Sequence, residues 1–282
     1  GAALCYSGNY KLRIDTQEDD WHHFLAGINE ENSWYNLKKE EVFRTPALAL
    51  TYSDEGMSGC SRKFHQWARL HKLANGNTPR KILLNSWEGV YFDINEQGMD
   101  QMMGDIAAMG GELFVMDDGW FGHRKNDDSS LGDWYVNEKK LKGGLSSLIE
   151  RVNAEGLKFG IWYEPEMISP DSDLYRAHPD WCLHVPNREN SPARLQYVLD
   201  MTRKDVRDNI FAQMYKVLSE NKIDYVKWDF NRNLTEVGSA LLPPERQKEV
   251  MHRFVLGTYD LMDRFVKAFP NILFENLSLI HI

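Results

Sequence analysis

Cysteine is scarce. Cys5, Cys60 and Cys182 are odd in number, far apart and without C-x-x-C spacing in the 282 residues. That argues against a disulfide framework or a zinc-thiolate site and fits a reducing compartment, so the cytoplasm is the expected location. No apolar run approaches the ~18 residues of a membrane-spanning helix, so no membrane partner is expected. Basic charge is short as well: 33 Lys and Arg stand against 42 Asp and Glu, a net charge of −9. Phosphate backbones and anionic lipid surfaces call for a basic face, so no nucleic acid is expected either. Neither G-x-G-x-x-G nor G-x-x-x-x-G-K-[ST] follows an apolar strand, which removes nucleotide-fold signals. A G-x-S-x-G nucleophile elbow is also missing. The opening Gly1-Ala2-Ala3-Leu4 lacks Met and reads like a strand, so the native start is taken as missing. The lack of a signal peptide then says little about targeting.

What is present is globular and aromatic: 42% hydrophobic, 27% charged and 12% aromatic residues, with 9 Trp. Rings in an acidic chain suit sugar C–H faces, and such a composition is not that of a disordered chain. Short β-branched or aromatic segments, Tyr10–Ile14, Trp21–Ile28 and Ala47–Tyr52, give the first part β character. The spacing then predicts a helix over 61–73, capped by Ser61, with Phe64, Trp67, Leu70 and Leu73 along one side. The polar stretch Ala74–Arg80 marks a domain boundary, so residues 1–60, 61–80 and 81–282 are expected to be three parts.

Past Arg80, apolar runs alternate with amphipathic helices. About six strands are expected: Ile82–Asn85, Leu113–Met116, Phe159–Tyr163, Gln196–Leu199, Tyr225–Trp228 and Ile272–Phe274. Helices are expected at Glu96–Met109, Leu145–Ala154, Lys204–Asn221 and Glu245–Phe269, with Thr202 and Asp205 as a capping box and Gly156 as a helix stop. Repeated β–α units with near-continuous apolar strands mean a parallel sheet covered on both faces. Polar residues cluster just after the strands, where barrel active sites sit, so an incomplete (β/α)8 TIM barrel is preferred to a doubly wound sheet.

The segment Tyr225-Val226-Lys227-Trp228-Asp229-Phe230-Asn231-Arg232 is the most specific. Alternation puts Lys227, Asp229 and Asn231 on one face. A lysine two residues from an aspartate favours the charged carboxylate, which suits Asp229 as a nucleophile; an ordinary ion pair on an edge strand is the bland alternative. Met116-Asp117-Asp118-Gly119-Trp120 offers two adjacent carboxylates, one facing the barrel mouth and one the loop, as acceptors for sugar hydroxyls. Metal binding is the rival there, with no His or third carboxylate within four residues of the pair. Trp162-Tyr163-Glu164-Pro165-Glu166 leaves two possibilities open, a core tryptophan and a catalytic pair of glutamates. Asn85-Ser86-Trp87-Glu88 adds an aromatic and a carboxylate, while Arg194 taken alone reads as a solvated surface residue. Carboxylates and aromatics at a barrel mouth point to glycoside hydrolysis, which needs two carboxyl groups flanking the scissile bond.

NSWEGVYFD, FVMDDGWFG, GIWYEPEM, YVLDMTR and YVKWDFNR, in this order and spacing, resemble the microbial α-galactosidases of glycoside hydrolase family 36. The stretches YSGNY and FRTPALALTYSDEGMSGCSRKFH resemble the end of that family's N-terminal β-sandwich and its linker helix. The resemblance implies a retaining exo-α-galactosidase acting on melibiose, raffinose-type oligosaccharides and related terminal α-1,6-galactosides. It makes Asp229 the nucleophile, gives Asp117 and Asp118 the galactose hydroxyls, lines the sugar subsite with Trp162, and matches Lys227, Asn231, Arg194 and Trp87 to the same pocket. It implies no metal or organic cofactor and a homo-oligomer, in many members a tetramer. The departure comes at Glu275-Asn276-Leu277-Ser278-Leu279-Ile280-His281-Ile282, where the family continues Glu-Asn-Cys-Ser into a glycine-rich loop and an Arg-Phe-Asp segment bearing the acid/base. Leu277 replaces the cysteine and no acid/base aspartate follows. The chain is therefore expected to be truncated at both ends, to carry foreign residues after 276, and to hydrolyse α-galactosides poorly on its own. The rivals are a non-catalytic galactoside-binding relative and a family member that acts on α-N-acetylgalactosaminides or transfers galactosyl groups.

Overall fold

The computed structural model describes residues 1–277; of the stretch 277–282 expected to be foreign, all but Leu277 lies outside the described residues. Cα packing divides the chain into two compact units. Gly1–Pro79 joins with Leu242–Leu256, and Arg80–Leu241 joins with the residues from Gly257 on.

The first unit holds two antiparallel strand pairs. Strand β1 (Ala2–Cys5) leads into the hairpin of β2 (Tyr10–Thr16) and β3 (His22–Ile28), and β1 pairs with β4 (Ala47–Leu50). Helix α1 (Gly56–His71) starts five residues before the expected Ser61 cap. Gly56 adopts φ +69°, and the Glu55 amide donates to Ser53 Oγ at 3.1 Å, so the chain turns into the helix there and Ser61 falls inside it. Leu70 and Leu73 are exposed, so the expected apolar side is not buried along its length. Residues 242–256 are tied in by Tyr6 Oη against His252 Nδ1 at 3.0 Å and by the Asn36 amide donating to Glu249 Oε1 at 2.8 Å.

The second unit contains a five-stranded parallel sheet. In sequence it runs β5 (Leu83–Asn85), α2 (Trp87–Val90), α3 (Glu96–Ala108), β6 (Leu113–Met116), α4 (Gly144–Ala154), β7 (Lys158–Tyr163), β8 (Met167–Ile168), α5 (Asp173–Ala177), β9 (Tyr197–Val198), α6 (Lys204–Glu220), β10 (Tyr225–Trp228), the portion of α7 (Val250–Ala268) from Gly257, and β11 (Leu273–Asn276). The sheet order β5-β6-β7-β10-β11 follows the chain, with a helix between each neighbouring pair, and constitutes part of a (β/α) barrel. Leu113–Met116 and Phe159–Tyr163 are buried throughout, as apolar strands covered on both faces must be. Gly160 of β7 leaves room for Tyr225, whose Cδ1 would lie 2.7 Å from an added Cβ.

One expected strand is corrected. Gln196–Leu199 contributes only β9, which pairs antiparallel with β8 and stands outside the parallel sheet. The Leu199 amide is taken by Glu166 O and the Asp200 amide by Trp181 O, so the apolar run is buried beneath loops rather than inside the sheet. The described residues thus hold five barrel strands rather than six, and Tyr225–Trp228 is the fourth. The expected capping box is also absent: Thr202 Oγ1 donates to Asp200 Oδ1 at 2.6 Å, and Asp205 accepts from Arg203. Gly156, at φ +79°, does follow the end of α4. No helix among the described residues is long and apolar enough to cross a membrane.

Candidate active site

The polar side chains converge where β5, β6, β7 and β10 end. Register places Lys227 of β10 opposite Trp162 of β7, and Met116 opposite Ile161, so Asp117, Trp162 and Lys227 fall at one level. One residue beyond β10, Asp229 is fixed by its own amide, which donates to Tyr163 O at 2.8 Å. Its carboxylate receives three N–H groups: Trp162 Nε1 at 3.1 Å and Asn231 Nδ2 at 2.7 Å, both on Oδ2, and the Phe230 amide at 3.0 Å on Oδ1.

Lys227 does not pair with Asp229. Its ammonium reaches past β7 and donates to Asp117 Oδ2 at 2.8 Å, an oxygen that also accepts from Asn85 Nδ2 at 2.5 Å. The residue two along the strand lies ~6.6 Å away along the axis, whereas this long side chain finds Asp117 at its own level. The Asp117 amide donates to Ser86 Oγ at 3.0 Å, so three strand ends share one network.

The two neighbouring aspartates separate. Asp117 joins the network around Lys227, whereas both oxygens of Asp118 are held by Arg124, through Nε at 2.9 Å and Nη2 at 2.7 Å. Burial raises the Asp118 carboxyl above its ordinary range, against the lowering effect of the Arg124 guanidinium. Arg124 is itself buried and lies over the rings of Phe92 and Phe121.

Trp162 is buried, nearly parallel to Phe121 with ring centroids 6.1 Å apart, and only its N–H is turned to Asp229. Trp87 is half-buried, edge-on to Tyr91 and Phe92, and its amide donates to Asn85 Oδ1 at 2.8 Å, which ties it to the Asp117 network. Arg194 is not brought in. It is exposed, at φ +53° in the turn Ala193–Leu195, with no partner among the described residues.

Glu164 and Glu166 are nearly inaccessible. Burial pushes Glu164 up to about 7, with the negative charge of Asp229 adding to the effect. Burial likewise pushes Glu166 up to about 8, and its two oxygens accept from Trp228 Nε1 at 3.0 and 2.9 Å. His123, Asp133 and Asp173 could offer ligand atoms within 4.8 Å of one another, but their carboxylates have other tasks. Asp133 accepts the Asp173 and Leu174 amides, and Asp173 pairs with Arg176.

The sequence model of the family described as Melibiase matches residues 42–279. The chain belongs to the melibiase family. It is 46% identical over 280 residues to α-galactosidase Mel36A of Lactobacillus acidophilus, and 48% identical over 281 residues to α-galactosidase AgaA of Geobacillus stearothermophilus. Each alignment covers 99% of this chain and 38% of the relative, so the chain spans well under half the length of these curated relatives. Among solved structures it is similar to the GH36 α-galactosidase AgaB of G. stearothermophilus, with a TM-score of 0.94 at 47% identity over 98% of this chain and 38% of that one. A variant of AgaA in complex with raffinose gives a TM-score of 0.94 at 48% identity, over 98% of this chain and 39% of that one.

Two cations of the chain escape sequence reading. Arg232 is buried and donates to Ser191 O at 2.9 Å, Gln196 O at 2.5 Å and Thr235 Oγ1 at 2.7 Å. It pins the loop that carries Arg194. Lys140 donates to Phe92 O and Gly119 O at 2.7 Å and to Arg124 O at 2.6 Å, which shapes the loop behind Asp118. Arg232 is the last residue of the quoted motif YVKWDFNR and could have been marked from that position; Lys140 carries no local signal.

Proposed function

We propose that the protein carrying this chain is a retaining exo-α-galactosidase that removes terminal α-1,6-linked galactose from melibiose and raffinose-type oligosaccharides. The observation that carries this reading is the Asp229 carboxylate, partly open to solvent at the end of the fourth strand and oriented by three N–H donors. Relatives are α-galactosidases, and variants of AgaA are described in complex with raffinose and with stachyose, which supports the substrate class.

In this reading Asp229 attacks the anomeric carbon while an acid protonates the departing oxygen, giving a β-galactosyl ester. Water activated by the same group then releases α-galactose. Asp117, Asp118, Lys227, Asn231, Trp162 and Trp87 serve the galactosyl unit, and Arg194, exposed in the turn Ala193–Leu195 in the conformation described, joins them through a rearrangement of that turn. For Asp118 that service is indirect in the conformation described, since Arg124 occupies both of its oxygens. The acid/base implied by the resemblance lies in an Arg-Phe-Asp segment that these residues do not contain, so residues 1–282 alone are expected to turn over poorly. The same reading makes residues 1–60 the end of a β-sandwich, 61–80 a linker and 81–282 barrel, in a cytoplasmic homo-oligomer without a cofactor.

The test uses the complete gene product. The expected results on p-nitrophenyl α-galactoside are release of α-galactose as first product, a loss of at least about 10³-fold in Asp229→Ala, and β-galactosyl azide formation when azide is supplied to that variant. β-Galactose as first product, or near-parent turnover by Asp229→Ala, would overturn the reading.

A further inference from the structure

Glu164 stands just past β7, two residues after Trp162, with 2% of its surface accessible. Such a site ordinarily takes an apolar residue, because withdrawing a carboxyl group from water is costly unless it is hydrogen-bonded. Here Oε1 accepts twice, from the Asn231 amide at 2.6 Å and from Gln196 Nε2 at 3.1 Å. Asn231 in turn sends Nδ2 to Asp229 Oδ2 at 2.7 Å, the oxygen that Trp162 also reaches. The end of β7 therefore grips the same carboxylate oxygen twice, directly through an indole and indirectly through Glu164 and Asn231. Gln196 has its own carbonyl pinned by Arg232, so the acceptor is anchored from a second side.

We propose that Glu164 is a positioning residue for the Asp229 carboxylate: its Oε1 holds the Asn231 amide, sets the turn after β10, and thereby aims the Asn231 side chain at Asp229. The proposal rests on the reading of Asp229 as nucleophile. Displacement of a reacting group by about 1 Å costs on the order of 10²-fold in rate, while contacts to the sugar elsewhere are left in place. Loss of the acceptor therefore acts chiefly on kcat, and KM moves only by the share of sugar binding that Asn231 itself supplies.

The experiment compares Glu164→Gln, Glu164→Asp and Glu164→Leu in the complete gene product on p-nitrophenyl α-galactoside. Competent sites are counted with a galactose-configured covalent inactivator. Glu164→Gln keeps an oxygen at the same reach and is expected within about fivefold of parent kcat. Glu164→Asp keeps a carboxyl group but withdraws it by about 1.5 Å, and is expected to lose about 10²-fold in kcat per competent site with KM within about threefold. Glu164→Leu is expected to lose at least as much. Should Glu164→Leu fail to fold, the contrast between Gln and Asp decides the matter alone. Parent-like kcat in Glu164→Asp, or a Gln variant as slow as the Asp variant, overturns the positioning role. If the inactivator labels a residue other than Asp229 in the parent, the functional reading falls and the positioning role falls with it. Label on Asp229 together with parent-like Glu164→Asp sinks the positioning role alone.

Discussion

Replacement of Glu166 by Gln isolates one buried carboxyl group. Glu166 is 1% exposed, and burial, with the charges of Glu164 and Asp229 adding to it, lifts it from an ordinary value of 4.5 to about 8; the Trp228 indole N–H opposes the rise. Between those two values the unfolded chain carries the charge and the folded protein does not. Stability linked to this group is therefore complete below about pH 4.5 and is lost as pH climbs toward 8, at about 1.4 kcal/mol per pH unit. The full loss approaches about 5 kcal/mol by pH 8. Glutamine has the shape of the neutral acid, keeps an oxygen for Trp228 Nε1, and does not titrate. Thermal melts of parent and Glu166→Gln should coincide near pH 5, and the variant should melt higher at pH 9. At roughly 2–4 °C per kcal/mol for a domain of this size, the gap should be on the order of 10 °C. Glu164 rises in the same direction and its charge acts on Glu166, so the comparison is repeated in a Glu164→Gln background, which removes that coupling from the difference. A gap independent of pH, or a variant less stable than parent at pH 9, would refute the assignment of a neutral buried Glu166.

Arg124→Met should lower stability by about 3–5 kcal/mol, because it leaves Asp118 buried without its cation. Adding Asp118→Leu should recover part of that loss, and the non-additivity is measurable from denaturant midpoints of the two single variants and the double variant. Gly160→Ala should cost about 1–3 kcal/mol by the same assay, since the new Cβ would meet Tyr225 Cδ1 at 2.7 Å and Val115 Cγ2 at 3.0 Å.

Strands buried on both faces were readable because burial alone demands a continuous apolar run. Leu113–Met116 and Tyr225–Trp228 appear at the expected bounds, and Phe159–Tyr163 gains only Lys158. The same signal misleads at Gln196–Leu199, where apolar residues are covered by loops and pair with β8 instead of the sheet. Hydrophobicity reports that a segment is buried, and the identity of the cover depends on tertiary contacts. Alternation put Lys227, Asp229 and Asn231 on one face, but it could not predict that Lys227 would choose Asp117, 110 positions earlier in the chain. The two carboxylates of Asp117-Asp118 part as a strand end requires, while the guanidinium that claims Asp118 comes from the loop that follows. The raised values of Glu164 and Glu166 come from desolvation, which exists only once the barrel loops have closed over them.

Chemical trapping addresses the central claim most directly. The complete gene product is treated with a galactose-configured mechanism-based inactivator, digested, and its labelled peptide is sequenced by mass spectrometry. The account predicts one modification per chain, an ester on Asp229 within the peptide that contains Trp228 and Phe230. A label on Asp117, on Glu164 or on any other side chain would contradict it.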